Sequence, residues 1–345
     1  MNVLFFIGNG FDLNVGLKTR FGDVLSFYLK KTSDDPVIIS FKESIKKNIN
    51  TWSSFEERIG IYSNEMQKKE TPIETFLDFY NCNFDFLKFL RDYLKEEESK
   101  VKYEDKQNIA EIFKKSLLNF MKYLNIDQKK FFDETDETIS FSYICFNYTS
   151  VFKKCLDILI NSNTFQLEKR NKTGFFRNMF ILHNNLGNVF HIHGTLDNNM
   201  ILGVNDLKQI LNTEFHNIDK VNTFIKPKVN DLLINNRNPD SIKLIENADI
   251  YCIFGMSIGK TDKKWWIELS KQLLNNPKKQ LIIYAYDENV DESFPMNTLE
   301  TQDYYKNIFL NHLKFTKLNE DDIKEKIRKN IHVVIDKDIF KIKLI

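Results

Sequence analysis

Glycine is scarce. The chain of 345 residues has 11, where usage of about 7% would supply about 24. Proline is scarce too, at 6. So few breakers exclude a turn-dense sandwich or propeller and predict long helices. Four cysteines, Cys82, Cys145, Cys155 and Cys252, form no CxxC pair and no disulfide framework. That excludes a cysteine-ligated zinc module and a disulfide-stapled scaffold, and it predicts a reducing, cytoplasmic location. Neither sign of charge dominates: 49 basic and 48 acidic side chains leave a formal +1. The simplest electrostatic case for a nucleic-acid or membrane-surface protein is therefore missing. No apolar run approaches the roughly 20 residues of a membrane span, and the start, MNVLFFIGNG, lacks the basic region of a signal peptide. What is abundant is bulk. There are 31 phenylalanines, and 42% of residues are hydrophobic against 28% charged, as expected of a globular protein with a large core.

The glycines are also uneven. Gly8, Gly10, Gly16 and Gly22 crowd the start, and from Asp23 to Thr173 only Gly60 occurs. Val3–Ile7 is a continuous apolar run, the mark of a strand buried on both faces. The glycine-poor stretch 20–138 carries aromatic stripes at helical spacing, such as Phe76, Phe79, Tyr80, Phe84, Leu87 and Leu90, and reads as a helical insertion or lid. Strand patterns return at 139–146, 189–193, 250–254, 281–286 and 332–335, with helical patterns at 149–161, 219–235, 263–275 and 300–314. This alternation predicts an α/β fold, Rossmann-like, with a mostly parallel sheet. Residues 1–19 and 139–345 would form its nucleotide-binding core.

In such sheets ligands bind beyond the carboxyl ends of the strands. Four predicted strands end in Gly8-Asn9-Gly10-Phe11-Asp12, Asn147-Tyr148-Thr149, His193-Gly194-Thr195 and Gly255-Met256-Ser257. Together they offer backbone amides, an amide side chain, an imidazole and hydroxyls. Each also has a plain structural reading. Gly8 and Gly10 suit a tight turn, and Leu13 stands where GxGxxG needs its third glycine. Asn147 suits a helix cap, as does Asp262. His191 and His193, two apart on a strand, would share a face, but no carboxylate cluster nearby completes a metal site. His193 is better placed as a base and His191 as a structural residue. Lys263-Lys264-Trp265-Trp266 mixes basic and aromatic groups but reads as packing plus surface charge, and Glu56 as part of a solvated helix face.

In their order, IGNGFDLNVGLKTRF near the start, WSSFEE at 52–57, FNYTS at 146–150, HIHGTL at 191–196, ILGVND at 201–206 and GMSIGKTDKKWW at 255–266 resemble the AbiH family of bacteriophage abortive-infection proteins. The same blocks look like a remote variant of the sirtuin-like NAD-binding fold. Gly8, Gly10 and Gly16 keep the spacing of its three glycines, Asn147-Tyr148-Thr149 resembles its TNYD segment, His193-Gly194 its HG pair, and Gly255-Met256-Ser257 its GTS segment. That resemblance implies NAD as substrate. It implies Asn147 and His193 as the catalytic pair, with Gly8, Asn9, Gly10, Phe11, Asp12, Gly194, Gly255 and Ser257 binding the nucleotide. It also implies homo-oligomerisation and activation by a phage component. The departures are Asp12, where a small hydroxyl residue is usual, Thr149 in place of the aspartate, and the absent zinc-binding cysteine quartet of the deacylases. The expected function is antiphage hydrolysis of NAD+ at the nicotinamide–ribose bond. A nucleotide sensor without catalysis, and a nuclease or nucleic-acid-binding toxin, stand as alternatives.

Overall fold

The computed structural model describes residues 1–46, 51–122, 124, 139–162, 166–170, 176–180, 186–233, 237–287, 290–291, 293–313, 320–335 and 339–345. Residues 47–50, 123 and 125–138 of the predicted helical insertion, 234–235 of the predicted helix at 219–235, and residue 314 lie outside these. Among the described residues the main sheet has six strands: β1 (Asn2–Ile7), β2 (Ser140–Cys145), β5 (Leu186–His191), β6 (Ile250–Phe254), β7 (Gln280–Ala285) and β8 (Ile331–Ile335). Their order is β5-β2-β1-β6-β7-β8, and every pairing is parallel. A separate antiparallel hairpin, β3 (Gln166–Arg170) and β4 (Phe176–Phe180), interrupts the chain between β2 and β5. With the hairpin set aside, the main strands follow the doubly wound order 3-2-1-4-5-6.

Period-2 alternation divides each strand between two cores. Val3, Phe5 and Ile7 face one side, with Phe141, Tyr143, Cys252 and Tyr284. Helices α1 (Gly10–Val15), α6 (Lys106–Leu118) and α7 (Val151–Asn161) cover that side, with the C-terminal residues Ile339, Phe340 and Ile342. Leu4 and Phe6 face the other side, with Ile144, Tyr251 and Ile283. There α9 (Asn238–Asn247), α10 (Lys263–Asn275), α11 (Pro295–Leu310) and α12 (Glu320–Arg328) pack. A third core joins α2 (Phe21–Lys30), α3 (Pro36–Ile45), α4 (Trp52–Glu65) and α5 (Pro72–Ser99) to residues 196–225. The long α5 starts on a reciprocal cap, Thr71 with Glu74, and Pro72 sits in its first turn where no donor is lost. Val101, Phe113, Leu117, Phe120 and Leu124 pack instead with the sheet.

Two predicted elements differ. The strand expected at 189–193 ends at His191, and the chain turns at Ile192 and His193, so His193 lies beyond the sheet and does not share a strand face with His191. The helix expected at 219–235 is a 3-10 turn over Asp219–Phe224, followed by α8 (Lys226–Leu232). Pro227 is the reason, since it cannot donate back to the preceding turn and restricts the residue before it. Among the described residues no helix is long and apolar enough to cross a membrane.

Candidate functional site

The strand order reverses between β1 and β6, and the loops leaving these two strands meet there. Gly8 N–H donates to Phe254 O at 2.9 Å, and Gly10 N–H to Gly255 O at 2.8 Å. A Cβ on Gly10 would stand 2.4 Å from Gly255 Cα, and Gly255 itself has φ +67°. Glycine is thus required at both positions for one loop to seat on the other. Above this seat opens a cavity of about 850 Å³, the size of a cofactor site.

The segments after β2 and β5 are tied together beside it. Ile192 N–H donates to Cys145 O, Leu196 N–H donates to Tyr148 O, and His191 Nδ1 lies 2.9 Å from Asn147 O. Asn147 Nδ2 donates to Gly8 O at 3.0 Å, so the amide fixes the glycine loop. Thr149 Oγ1 donates to both oxygens of Asp12, at 3.0 and 2.8 Å. Asp12 and Thr149, two of the three departures noted in the sequence, therefore face each other. Burial, aided by the Glu98 carboxylate, pushes Asp12 up to about 7, against hydrogen bonds from Thr149 and Asn147 that pull it down. A carboxyl group on the cavity wall consequently titrates near neutrality.

In the lining of the same cavity four ionisable side chains from four segments meet. Lys226 Nζ lies 2.8 Å from Glu56 Oε2 and 2.9 Å from Asp262 Oδ1. His193 Nε2 approaches the same Asp262 Oδ1 at 3.0 Å, a contact whose angle falls short of a hydrogen bond and which is an ion pair only when the imidazole is protonated. The side chains of Lys226, His193 and Glu56 are only 4%, 6% and 7% exposed. Burial alone would raise Asp262, but Lys226 and His193 outweigh it and hold the carboxyl below the usual carboxylate range. Burial alone would lower Lys226, and Asp262 and Glu56 reverse that, so its ammonium is held above its ordinary value. The imidazole stands edge-on to Phe146 at 5.2 Å, and Phe146 stacks on Trp266. One ring nitrogen of His193 thus faces a carboxylate, while the residue borders the cavity. That is the arrangement of an oriented base. Thr19 and Thr261 also border the cavity, and their hydroxyls are buried without a hydrogen-bond partner, a condition that calls for explanation in a native site.

Of the predicted site residues, Gly8, Asn9, Gly10, Asp12, Asn147, His193, Gly255 and Ser257 line this one cavity. Phe11 does not. It is fully buried in the sheet core, edge-on to Phe152 at 5.0 Å. Gly194 does not line it either; it turns at φ +81° against the Asn199 carbonyl. Three cavity residues have plain expectations overturned or absent. Glu56 is buried rather than on a solvated face. Asp262 precedes α10 but makes no capping hydrogen bond and turns to Lys226 and His193 instead. Lys226 carried no signal beyond its charge. The remaining motif segments serve this wall: Trp52 Nε1 and Asn9 Nδ2 both donate to Thr19 O, and Asn205 Oδ1 accepts from the Lys264 amide at the start of α10. Trp265 and Trp266 are buried, which leaves neither indole as a stacking surface for bases. Among the described residues no cluster of His, Cys, Asp and Glu could hold a metal ion; in the charged wall the cationic position between the carboxylates is taken by Lys226 Nζ.

A family model described as bacteriophage abortive infection AbiH matches residues 4–284. No curated protein matches the chain.

Proposed function

The chain belongs to the AbiH family of bacteriophage abortive-infection proteins, and on that premise we propose that its switch-point cavity binds NAD+ and that the protein hydrolyses it at the nicotinamide–ribose bond. The observation that carries this reading is the convergence of Asn147, His193, Asp12 and the glycine seat on one cavity of dinucleotide size. Lys341 and Lys343 also border it, and their charge suits a diphosphate.

In the reaction, the bond between the pyridinium nitrogen and the ribose C1′ breaks, and its electron pair leaves with nicotinamide. The oxocarbenium left behind takes a water oxygen at C1′. His193, oriented by Asp262, accepts the water proton, and the products are nicotinamide, ADP-ribose and a proton. Asn147 holds the loop under the substrate through Gly8. Because that amide is already engaged, binding without cleavage is the second reading. Activation by a phage component and homo-oligomer formation are part of the proposal through the family resemblance.

The test is to follow free nicotinamide from NAD+ with the wild-type protein, with and without phage lysate, beside His193→Ala and Asn147→Ala. Turnover lost in both variants supports the first reading, and tight binding without nicotinamide release supports the second. Degradation of RNA or DNA with NAD+ neither bound nor cleaved overturns both.

A further inference from the structure

The buried wall of the cavity carries an unbalanced charge. Glu56 and Asp262 bring two formal negative charges and Lys226 one positive charge. Lys260 pairs outward with Glu57 at 3.7 Å and does not alter the count. Together these three leave one negative charge on largely buried side chains beside the His193 imidazole, and such a charge is costly unless something balances it. The wall is also aromatic: Phe146, which touches the imidazole, and Tyr148 both border the cavity.

We propose that this end of the cavity is a binding site for a cationic heteroaromatic ring, a pyridinium, which it selects over the uncharged ring of the same shape through the net charge of Glu56, Lys226 and Asp262. The inference rests on the reading of the cavity as a pyridine-nucleotide site and deepens it. Charge held in place before the ligand arrives attracts a cation without reorganisation. When the glycosidic bond breaks, the positive charge moves from the ring to the ribose and stays beside the same wall, so the wall serves both the bound substrate and the oxocarbenium.

The probes are 1-methylnicotinamide, a cation, and nicotinamide, its neutral counterpart, titrated calorimetrically at pH 8 with NAD+ alongside. The wild-type protein should bind the cation about tenfold more tightly, the scale of one partly screened charge contact. Glu56→Gln, which neutralises the wall, should bring the two probes within about twofold of each other. Glu56→Gln combined with Lys226→Met removes one charge of each sign, restores the net negative charge and should restore the preference. A role confined to structure predicts the opposite order, with the double variant worse than the single. Equal affinities in the wild type, no binding of either probe, or an unchanged preference in Glu56→Gln overturns the inference. The wild-type comparison needs no variant, so it decides even if Glu56→Gln does not fold. Cleavage of NAD+ without a ring preference overturns this inference alone. A ring preference with NAD+ neither bound nor cleaved overturns the dinucleotide reading alone.

Discussion

Asp12 makes the stability of the protein depend on pH in a direction opposite to most carboxylates. In the unfolded chain it titrates near 3.8, and in the folded protein near 7. Between those values the native state holds a proton that the unfolded state has released, so stability falls as pH rises. The contribution is complete below about pH 4 and is lost as pH passes through 7. Three units at about 1.4 kcal/mol each make about 4 kcal/mol over the whole window, of which about 3 kcal/mol falls between pH 5 and 8. Asp12→Asn keeps the shape and has no proton to lose. Urea unfolding of both proteins, followed by tryptophan fluorescence from pH 5 to 8.5, isolates the effect as a difference, because every other titrating group is shared. The Asn variant should gain on the wild type steadily up to about pH 7 and level off above it. Parallel stability profiles would refute the assignment of a proton-bearing carboxyl at this position. So would a wild type that gains on the variant with rising pH.

Other substitutions probe the cavity walls and the sheet. Lys226→Met leaves Glu56 and Asp262 facing each other without their cation and should destabilise the fold by about 3–5 kcal/mol, seen as a lower urea midpoint. Glu56→Gln in the same background should recover part of that loss. Gly10→Ala drives a methyl group into Gly255 Cα and should cost about 3 kcal/mol, since backbone cannot step aside as a side chain can. Tyr143→Phe should raise stability by about 1 kcal/mol, because the Tyr143 hydroxyl is buried with no hydrogen-bond partner; a lower midpoint for this variant would show that the hydroxyl is satisfied.

The central strand and the cavity floor were legible in the sequence. Val3–Ile7 could be apolar throughout only if both its faces were covered, and β1 sends Val3, Phe5 and Ile7 into one core and Leu4 and Phe6 into the other. Once parallel strands are expected, their carboxyl ends must share an edge, and this brings Asn147, His193 and Gly255 to the site from three distant places. The charged wall was not legible. Glu56 sits in an amphipathic helix where any surface glutamate would look the same, and its partner is 170 positions away. Asp262 stands just before a helix, where a cap is the ordinary explanation. Only the depth at which α4 docks over the loop after β6 turns these residues inward. Strands β3 and β4 left no such signal, since two five-residue strands carry little periodic pattern.

The place of β1 has a consequence for biosynthesis. Of the six strands of the main sheet it leaves the ribosome first, yet both of its neighbours come much later, β2 at residue 140 and β6 at residue 250. At about 5–20 residues per second, the second edge of β1 stays open for on the order of ten to fifty seconds. Throughout that time a five-residue apolar ribbon has no finished sheet to join. A nascent chain of this protein is therefore a natural client for holding chaperones. The charged wall of the cavity is likewise incomplete until Asp262 has been added.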